Sequence, residues 1–180
     1  METTEVDVAV IGAGPAGSRL ARRTADGGRR VLLLEKRSRV GYPVRCAEAV
    51  GPRSEVERYL DLDDSIVCSP IDGVLIVAPN GRTLRSRTPG VGLVVDRERF
   101  DLRLAEHAVA AGVELRTGHQ AMRLLVEKGR VAGLVVRDLG AGLADGVEAH
   151  QKRPALLVEA LQGPPQPNAV LLADARRARQ

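Results

Sequence analysis

An α/β fold is predicted by three features in the first 35 residues of the chain. The apolar run Val6–Ile11 is typical of a buried strand, and the motif GAGPAG follows it directly at positions 12–17. A helix is expected from this motif to about Asp26, and a second apolar strand, Val31–Leu34, leads to Glu35. Strand, helix and strand joined by short connections predict a parallel βαβ unit.

The residues of this unit suit a Rossmann-like dinucleotide-binding fold. Gly12 permits the tight turn out of the strand, Gly14 lets a pyrophosphate approach the backbone, and Gly17 lets the helix pack closely on the strand. The N–H groups and the positive dipole end of the helix favour phosphate binding. Glu35 lies eighteen residues after Gly17, where a carboxylate can accept hydrogen bonds from ribose hydroxyls.

Antiparallel strands are expected to interrupt the α/β pattern. After a polar loop, the sequence predicts a short helix at Ser54–Leu60, strands at Val74–Ala78 and Thr83–Leu84, and a strand at Val91–Val95. The intervening Pro79-Asn80-Gly81 favours a hairpin because Asn-Gly tolerates the positive φ angles of a tight turn.

A second helix and a second hairpin follow. Asp96 is a candidate N-cap for a helix from Arg97 to about Ala111, in which apolar residues recur at intervals of three and four. A strand at Val113–Thr117 and a hairpin come next. The two strands of that hairpin are expected at Ala121–Val126 and Val131–Val136.

The patterning fades from about Leu139 onward. The segment at 163–169 is rich in proline, and the basic tail after it has no periodicity. The sequence therefore predicts a nucleotide-binding domain over residues 1–138 and a degenerate or truncated tail over residues 139–180.

Composition narrows the function classes. The chain has 180 residues and a net charge of +4, and Tyr42, Tyr59 and Phe100 are its only aromatic residues. Nucleic-acid binding is not expected, because no aromatic residues interleave with the scattered arginines. The two cysteines have no metal-ligand spacing, so no metal site is expected. The acidic N-terminus and the absence of a long apolar run favour a cytoplasmic location.

Four segments of the sequence carry a family resemblance, over about Asp7–Glu127. They are DVAVIGAGPAGSRLA, LLLEKR, GYPVRCAEAV and VVDRERFDLRLAEHAVAAGVEL. With them the chain resembles FAD-dependent geranylgeranyl reductases, in the flavoprotein group that includes the aromatic hydroxylases. The PVRCAE loop is the part specific to these reductases.

The resemblance implies an activity, a cofactor and partners. The activity would be reduction of isoprenoid carbon–carbon double bonds by hydride transfer from reduced FAD. The substrate would be a prenyl (geranylgeranyl) lipid, which makes a position at the membrane periphery a second expectation. NAD(P)H or ferredoxin would supply the electrons.

The resemblance also implies roles for individual residues. The FAD pyrophosphate would be wrapped by the glycine-rich turn, at Gly12, Gly14, Ala16 and Gly17. Glu35 would bind the adenosine ribose, Arg97 would contact the phosphates, and Ala121 would line the adenine side. The flavin would be approached by Cys46, Ala47 and Ala49. A buried, inert thiol is the alternative interpretation of Cys46 and the default for Cys68. His107 and His119 are expected to be solvated.

Other interpretations stay open. Members of the family are longer, and their distal half carries a Gly-Asp motif and the substrate cavity, so we expect a truncated homologue or a fragment. Another FAD-dependent monooxygenase or halogenase and a non-catalytic dinucleotide-binding remnant are the alternative functions. Lys36 and Arg37 raise NADP as an alternative cofactor, although Glu35 would repel a 2′-phosphate.

Overall fold

The computed structural model of the protein describes residues 4–140 and 156–159, which contain three helices and nine strands. The strands are β1 (Val8–Ile11), β2 (Val31–Glu35), β3 (Ala49–Val50), β4 (Val67–Val77), β5 (Thr83–Val95), β6 (Glu114–Thr117), β7 (His119–Glu127), β8 (Arg130–Asp138) and β9 (Leu156–Glu159). The helices are α1 (Pro15–Asp26), α2 (Arg53–Val56) and α3 (Arg97–Ala110).

The central sheet is parallel and has the strand order β6-β2-β1-β9. Residues 8–11 of β1 pair in register with residues 31–34 of β2 on one side. Residues 156–159 of β9 pair with the same strand on the other side. The predicted βαβ unit and the α/β class with inserted antiparallel strands are confirmed.

The two faces of the central sheet are covered by different layers. Val10 and Leu33 point to one face and pack with Ala105 and Ala108 of α3 in a buried cluster that also includes Ala21 of α1. The other face carries Ala9, Leu32 and Leu34, which form a second buried cluster with Leu134 and Val136 of β8. The alternation follows from the two-residue period of a strand. Because both faces are covered, β2 is buried along its whole length.

The small antiparallel sheet, in the order β3-β5-β4, is more continuous than the sequence predicted. A single strand, β5, replaces the two short strands expected at Thr83–Leu84 and Val91–Val95. Its pairing with β4 jumps from Ile71↔Gly92 to Gly73↔Arg87, so residues 88–91 form an irregularity in the ladder. Proline is tolerated at such a position because it need not donate a ladder hydrogen bond, which is why Pro89 did not end the strand.

The turn between β4 and β5 follows the prediction. Gly81 has a φ of +81°, and its N–H donates to the carbonyl of Ala78 at 2.9 Å. The Asn80 side chain accepts a hydrogen bond from the Arg82 N–H at 3.1 Å. Gly81 therefore supplies the positive φ that the sequence predicted, whereas Asn80 stabilises the turn through its side chain and not through a positive φ of its own.

Other element boundaries differ modestly. The predicted helix Ser54–Leu60 is limited to α2, and Leu60 is reached by turns that bring it into a third buried cluster with Phe100 and Leu104. The hairpin of β7 and β8 is confirmed and is longer than predicted. Asp96 caps α3, with its carboxylate accepting from the Arg99 N–H at 3.0 Å.

One strand lies where the sequence analysis expected only a degenerate tail. Leu156–Glu159 forms β9 and pairs with β1 in the central sheet, a strand that the expectation of a degenerate or truncated tail did not include. The residues 163–180 that motivated it lie outside the described residues. The domain boundary at residue 138 stays a prediction.

In the part of the chain that the structure describes, no helix is both long enough and apolar enough to cross a membrane.

Candidate cofactor site

The glycine-rich turn connects β1 to α1 at the carboxyl ends of the parallel strands. Gly12 has a φ of +97°, a conformation that favours glycine. Its N–H donates to the Leu34 carbonyl at 2.7 Å, which fixes the turn to the end of β2. Gly17 is buried within the first turn of α1. The turn therefore has the backbone geometry that its glycines predicted.

The first turn of α1 is open to an anion. Gly14 occupies the N-cap position in extended conformation and offers no side-chain acceptor to the helix. Pro15 stands at the first helical position, and no acidic residue lies in the first turn. Ala16 is exposed there. A helix start without a capping side chain or a carboxylate leaves its N–H groups free to bind phosphate oxygens.

Glu35 ties the glycine-rich turn to the loop that follows β2. Its side chain is buried, with 5% of the residue exposed. Oε2 accepts from the Ala13 N–H and Oε1 accepts from the Arg37 N–H, each at 3.0 Å. Ser18 supports the same turn, because its hydroxyl donates to the Ala13 carbonyl at 3.1 Å. The carboxylate thus has a structural role beside the ribose contact that the sequence suggested.

A pocket of about 270 Å³ opens beside this carboxylate. It is lined by Ile11, Gly12, Leu34, Glu35, Lys36, Arg37, Arg45, His119, Gln120 and Ala121. The pocket therefore joins the ends of β1 and β2 to the start of β7. Three cationic side chains and one carboxylate make it suitable for a polar, anionic ligand such as a nucleotide.

His119 lies in this pocket, so the expectation that it is simply solvated was wrong. The residue is half-buried. Its Nδ1 lies 2.6 Å from the Thr117 carbonyl, and since a carbonyl can only accept, Nδ1 carries the proton. Nε2 lies 4.0 Å from the Asp138 carboxylate. The ring is held at the junction of β6, β7 and β8.

The loop that follows β2 brings Cys46 to the first turn of α3. Cys46 is exposed, which contradicts the interpretation as a buried thiol. Its sulfur accepts from the Arg97 guanidinium at 3.1 Å and from the Glu48 N–H at 3.4 Å. Ala47 and Ala49 are exposed beside it. The loop thus presents a thiol and small side chains on an open surface.

Arg97 is held on its other side by Asp101, one helical turn later. Two guanidinium nitrogens of Arg97 bind the Asp101 carboxylate at 2.9–3.2 Å. Burial acts to lower the pKa of Arg97, but the Asp101 carboxylate and the Cys46 sulfur raise it overall. Burial raises the pKa of Asp101, and the Glu35 carboxylate adds to this effect, while Arg97 opposes it.

The structure groups the predicted site residues in three places. Gly12, Glu35 and Ala121 share the pocket. Gly14, Ala16 and Gly17 form the start of α1. Cys46 and Arg97 contact one another, with Ala47 and Ala49 nearby in sequence. The contacts of these residues with a cofactor stay predictions.

Two further expectations from the sequence were wrong. Cys68 is exposed rather than buried. His107 lies on α3, and its Nδ1 is 3.3 Å from the Arg22 guanidinium of α1, so it joins the two helices rather than facing solvent alone.

Sequence reasoning did not assign Asp101, Gln120 or His119 to the site, and it considered His119 only as a solvated side chain. Asp101 stands four residues after Arg97, a spacing at which opposite charges meet on a helix, so it could have been found. Gln120 and His119 reach the pocket only because the β7–β8 hairpin packs under the central sheet. Their position depends on a long-range contact for which local sequence has no signal.

Comparison with known proteins agrees with this geometry. A family model described as an NAD(P)-binding Rossmann-like domain matches residues 10–60. A digeranylgeranylglycerophospholipid reductase of Methanosarcina acetivorans is 40% identical over 160 residues, which cover 82% of this chain and 39% of the relative. A reductase of the same name from Methanopyrus kandleri is 37% identical over 167 residues, covering 88% of this chain and 42% of the relative.

Solved structures show the same similarity. A geranylgeranyl bacteriochlorophyll reductase-like protein from Thermoplasma acidophilum matches with a TM-score of 0.75 and 30% identity, over 88% of this chain and 40% of that one. A myxobacterial FAD-dependent chondrochloren halogenase matches at 24% identity with a TM-score of 0.63, over 87% of this chain and 37% of that one, which shows the fold alone. The chain spans about 40% of the length of the reductases it matches.

Proposed function

Because this chain belongs, over the N-terminal portion that it covers, to the geranylgeranyl reductase family, we propose that it forms the FAD-binding part of a reductase. The proposed reaction saturates carbon–carbon double bonds of a prenyl lipid. The relatives are named as reductases of a geranylgeranyl-bearing phospholipid, and that substrate class is transferred here as part of the proposal.

The observation that carries the proposal is the position of Glu35. The buried carboxylate lies at the end of β2, beside the pocket and one hydrogen bond from the glycine-rich turn. A dinucleotide bound along the carboxyl ends of β1 and β2 would place its pyrophosphate on the start of α1 and its adenosine in the pocket. The uncapped helix start and the cationic pocket fit those two groups.

The remaining predicted residues suit the same ligand. Arg97 offers a protonated guanidinium for a phosphate, and Ala121 lines the pocket proposed for the adenosine. Cys46 and Ala47 in the exposed loop after β2, and Ala49 at the start of β3, would approach the flavin. When bound and reduced, FAD supplies the hydride for the alkene. The residues of this chain bind and orient that cofactor.

Titration calorimetry with FAD, NAD and NADP tests the cofactor. We expect FAD to bind most tightly. Tighter binding of NADP would instead assign Lys36 and Arg37 to a 2′-phosphate, and binding of none of the three would overturn the proposal.

Glu35→Ala tests the carboxylate directly. The variant loses an acceptor for ribose and leaves the Ala13 N–H without its partner, so FAD binding should weaken by roughly 1–3 kcal/mol. Glu127→Ala is the matched control, since Glu127 is an exposed glutamate that also ends a strand. Equal affinity for FAD in the two variants would contradict the assignment of Glu35.

Product analysis tests the reaction class. Anaerobic incubation with FAD, dithionite and a geranylgeranyl lipid should give saturated product no faster than free reduced flavin does, because the family's substrate cavity is expected in its distal half and this chain spans about 40% of the length of the reductases it matches. Saturation at a clearly higher rate, with two hydrogens added per reduced double bond, would show that these 180 residues suffice for the reaction. In a parallel aerobic incubation, an oxygenated or halogenated product that is absent without oxygen would favour the monooxygenase or halogenase alternative.

A further inference from the structure

The loop that carries Cys46 is fastened to the first turn of α3 at three points. Arg39 forms an ion pair with Glu98. Gly41, with a φ of +77°, lies so close that a methyl group on its Cα would be 2.9 Å from the Glu98 Cα. The third point is the hydrogen bond from Arg97 to Cys46. The position of this loop is therefore set by α3.

Asp101 determines how Arg97 takes part in this contact. Its carboxylate binds Nε at 3.1 Å and one terminal nitrogen at 2.9 Å. The second terminal nitrogen, 3.1 Å from the Cys46 sulfur, is the one left to face the loop. A guanidinium is planar, so fixing two of its nitrogens fixes the direction of the third.

Burial argues that this pair does more than stabilise α3. The side chains of Arg97 and Asp101 are only 20% and 9% exposed. Removing both charges from water costs free energy that their attraction does not reliably recover. This cost of burying the ion pair is explained if Asp101 serves to hold the Arg97 guanidinium in a single orientation.

We propose that Asp101 is a positioning residue, which orients Arg97 and thereby holds the Cys46 loop in place for the cofactor. The cofactor part of this statement rests on the proposed function, whereas the effect on the loop does not. Asp101 itself is assigned no contact with FAD.

Hydrogen–deuterium exchange on the FAD-free chain tests the loop. In Asp101→Asn the amides that fasten the end of this loop should exchange about ten-fold faster, because the fork that holds Arg97 is lost. They are the Glu48 N–H, which donates to the Cys46 sulfur, and the Val95 N–H, which donates to the Glu48 carbonyl. Amides within α3 should keep their exchange rates. Glu106→Gln is the matched control, since Glu106 lies on the same helix and pairs with Arg103 on the surface; it should change neither.

Arg97→Lys is a second variant, for use if Asp101→Asn fails to fold. A lysine has one charged nitrogen and cannot bind Asp101 and Cys46 in the same fork. Loop exchange should therefore accelerate by a similar factor, with the melting temperature recorded to confirm that the chain is folded.

FAD titration then separates this role from a general loss of stability. Asp101→Asn should weaken FAD binding by roughly ten-fold, within the range of couplings between contacting residues. Arg97→Gln should weaken it more, and adding Asp101→Asn to Arg97→Gln should cause no further loss. This non-additivity is the result expected if Asp101 acts only through Arg97.

Three results would overturn the proposal. They are unchanged loop exchange in folded Asp101→Asn, faster exchange throughout α3 to the same degree as in the loop, and additive effects of the two substitutions on FAD affinity. Failure of the unmodified chain to bind FAD would defeat the proposed function, while the exchange experiment would still decide whether Asp101 positions the loop.

Discussion

Strand β2 and the ribbon of β4 and β5 are built from the same kinds of residue in opposite environments. Leu32, Leu33 and Leu34 in β2 are at most 1% exposed. In the segment Gly73–Arg87, which we call the arm, five large aliphatic residues are 48–63% exposed. They are Val74, Leu75, Ile76, Val77 and Leu84.

The two strands differ in exposure because different elements pack on them, not because their residues differ in hydrophobicity. Strand β2 lies inside the parallel sheet, with helices on one face and the β7–β8 hairpin on the other, so each of its side chains is covered. The arm is a two-stranded ribbon, and its residues remain largely exposed. An apolar run therefore predicts a strand well, but burial depends on what packs on that strand.

The largest expected effect is a contrast between two leucines. Leu33→Ala removes a side chain that is 0% exposed and should lower the free energy of unfolding by about 2–5 kcal/mol. Leu75→Ala makes the same chemical change where 53% of the residue is exposed, and should change stability by about 0.5 kcal/mol or less. Urea denaturation measures both, and comparable losses would show that the arm is as well packed as β2.

A pair of glycines extends the contrast to loops. Gly41 and Gly28 both have positive φ, but only at Gly41 would a Cβ meet neighbouring backbone. Gly28→Ala should cost about 1 kcal/mol from its conformation alone. Gly41→Ala should cost about 2–4 kcal/mol, because the loop must also move away from α3.

Thermal or urea unfolding of the two glycine variants separates the cost of a positive φ, which both share, from the cost of a clash with α3, which only Gly41→Ala has. Equal losses would show that the Gly41 loop is not tightly packed on the helix. FAD titration of the same variants adds a functional readout, in which only Gly41→Ala should weaken binding.

Local rules account for how much could be predicted from the sequence. The βαβ unit, the Asn-Gly turn and the Asp96 cap depend on residues close in sequence, and each is observed as expected. At the site, the glycine-rich turn and Glu35 were found because their spacing reflects one local unit.

Long-range contacts account for what was missed. The pairing of β9 with β1 joins strands that are separated by most of the chain. The sequence did not predict one continuous β5, because only the pairing with β4 shows that Pro89 lies in an irregular part of the ladder. The pocket position of His119 depends on sheet packing in the same way. Sequence patterns predicted the helices and strands, but not which of them pair or pack together.

Helix ends offer a smaller contrast between two aspartates. Asp96 caps α3, and Asp96→Ala should destabilise the protein by about 1 kcal/mol because the Arg99 N–H loses its acceptor. Asp26 is the last residue of α1 and lies 3.9 Å from Arg22. Asp26→Ala should have an effect near zero, since a carboxylate at a helix C-terminus opposes the helix dipole. Chemical denaturation should rank the two variants in this order.

The smallest expected effect is a difference between Asp7 and Asp101 in how each changes the stability of the protein with pH. Asp7, at the entrance to β1, accepts from the Arg30 N–H at 2.9 Å, and this hydrogen bond is the main cause that lowers its pKa below 3.8. Its ionised form is thus favoured in the folded state, so its contribution is fully present above 3.8 and is lost as pH falls through the lower folded value. In Asp7→Asn, the stability deficit should be constant at neutral pH and should close in acid.

Asp101 should behave with the opposite sign, because burial raises its pKa. Its protonated form is favoured in the folded state, so its contribution is greatest below 3.8 and declines as pH rises through the higher folded value. The stability of the unmodified chain relative to Asp101→Asn should therefore fall with rising pH, whereas relative to Asp7→Asn it should rise. Urea unfolding from acid to neutral pH measures both slopes, and two slopes of the same sign would contradict the assignment of one carboxylate to a hydrogen-bonded surface position and the other to a buried one.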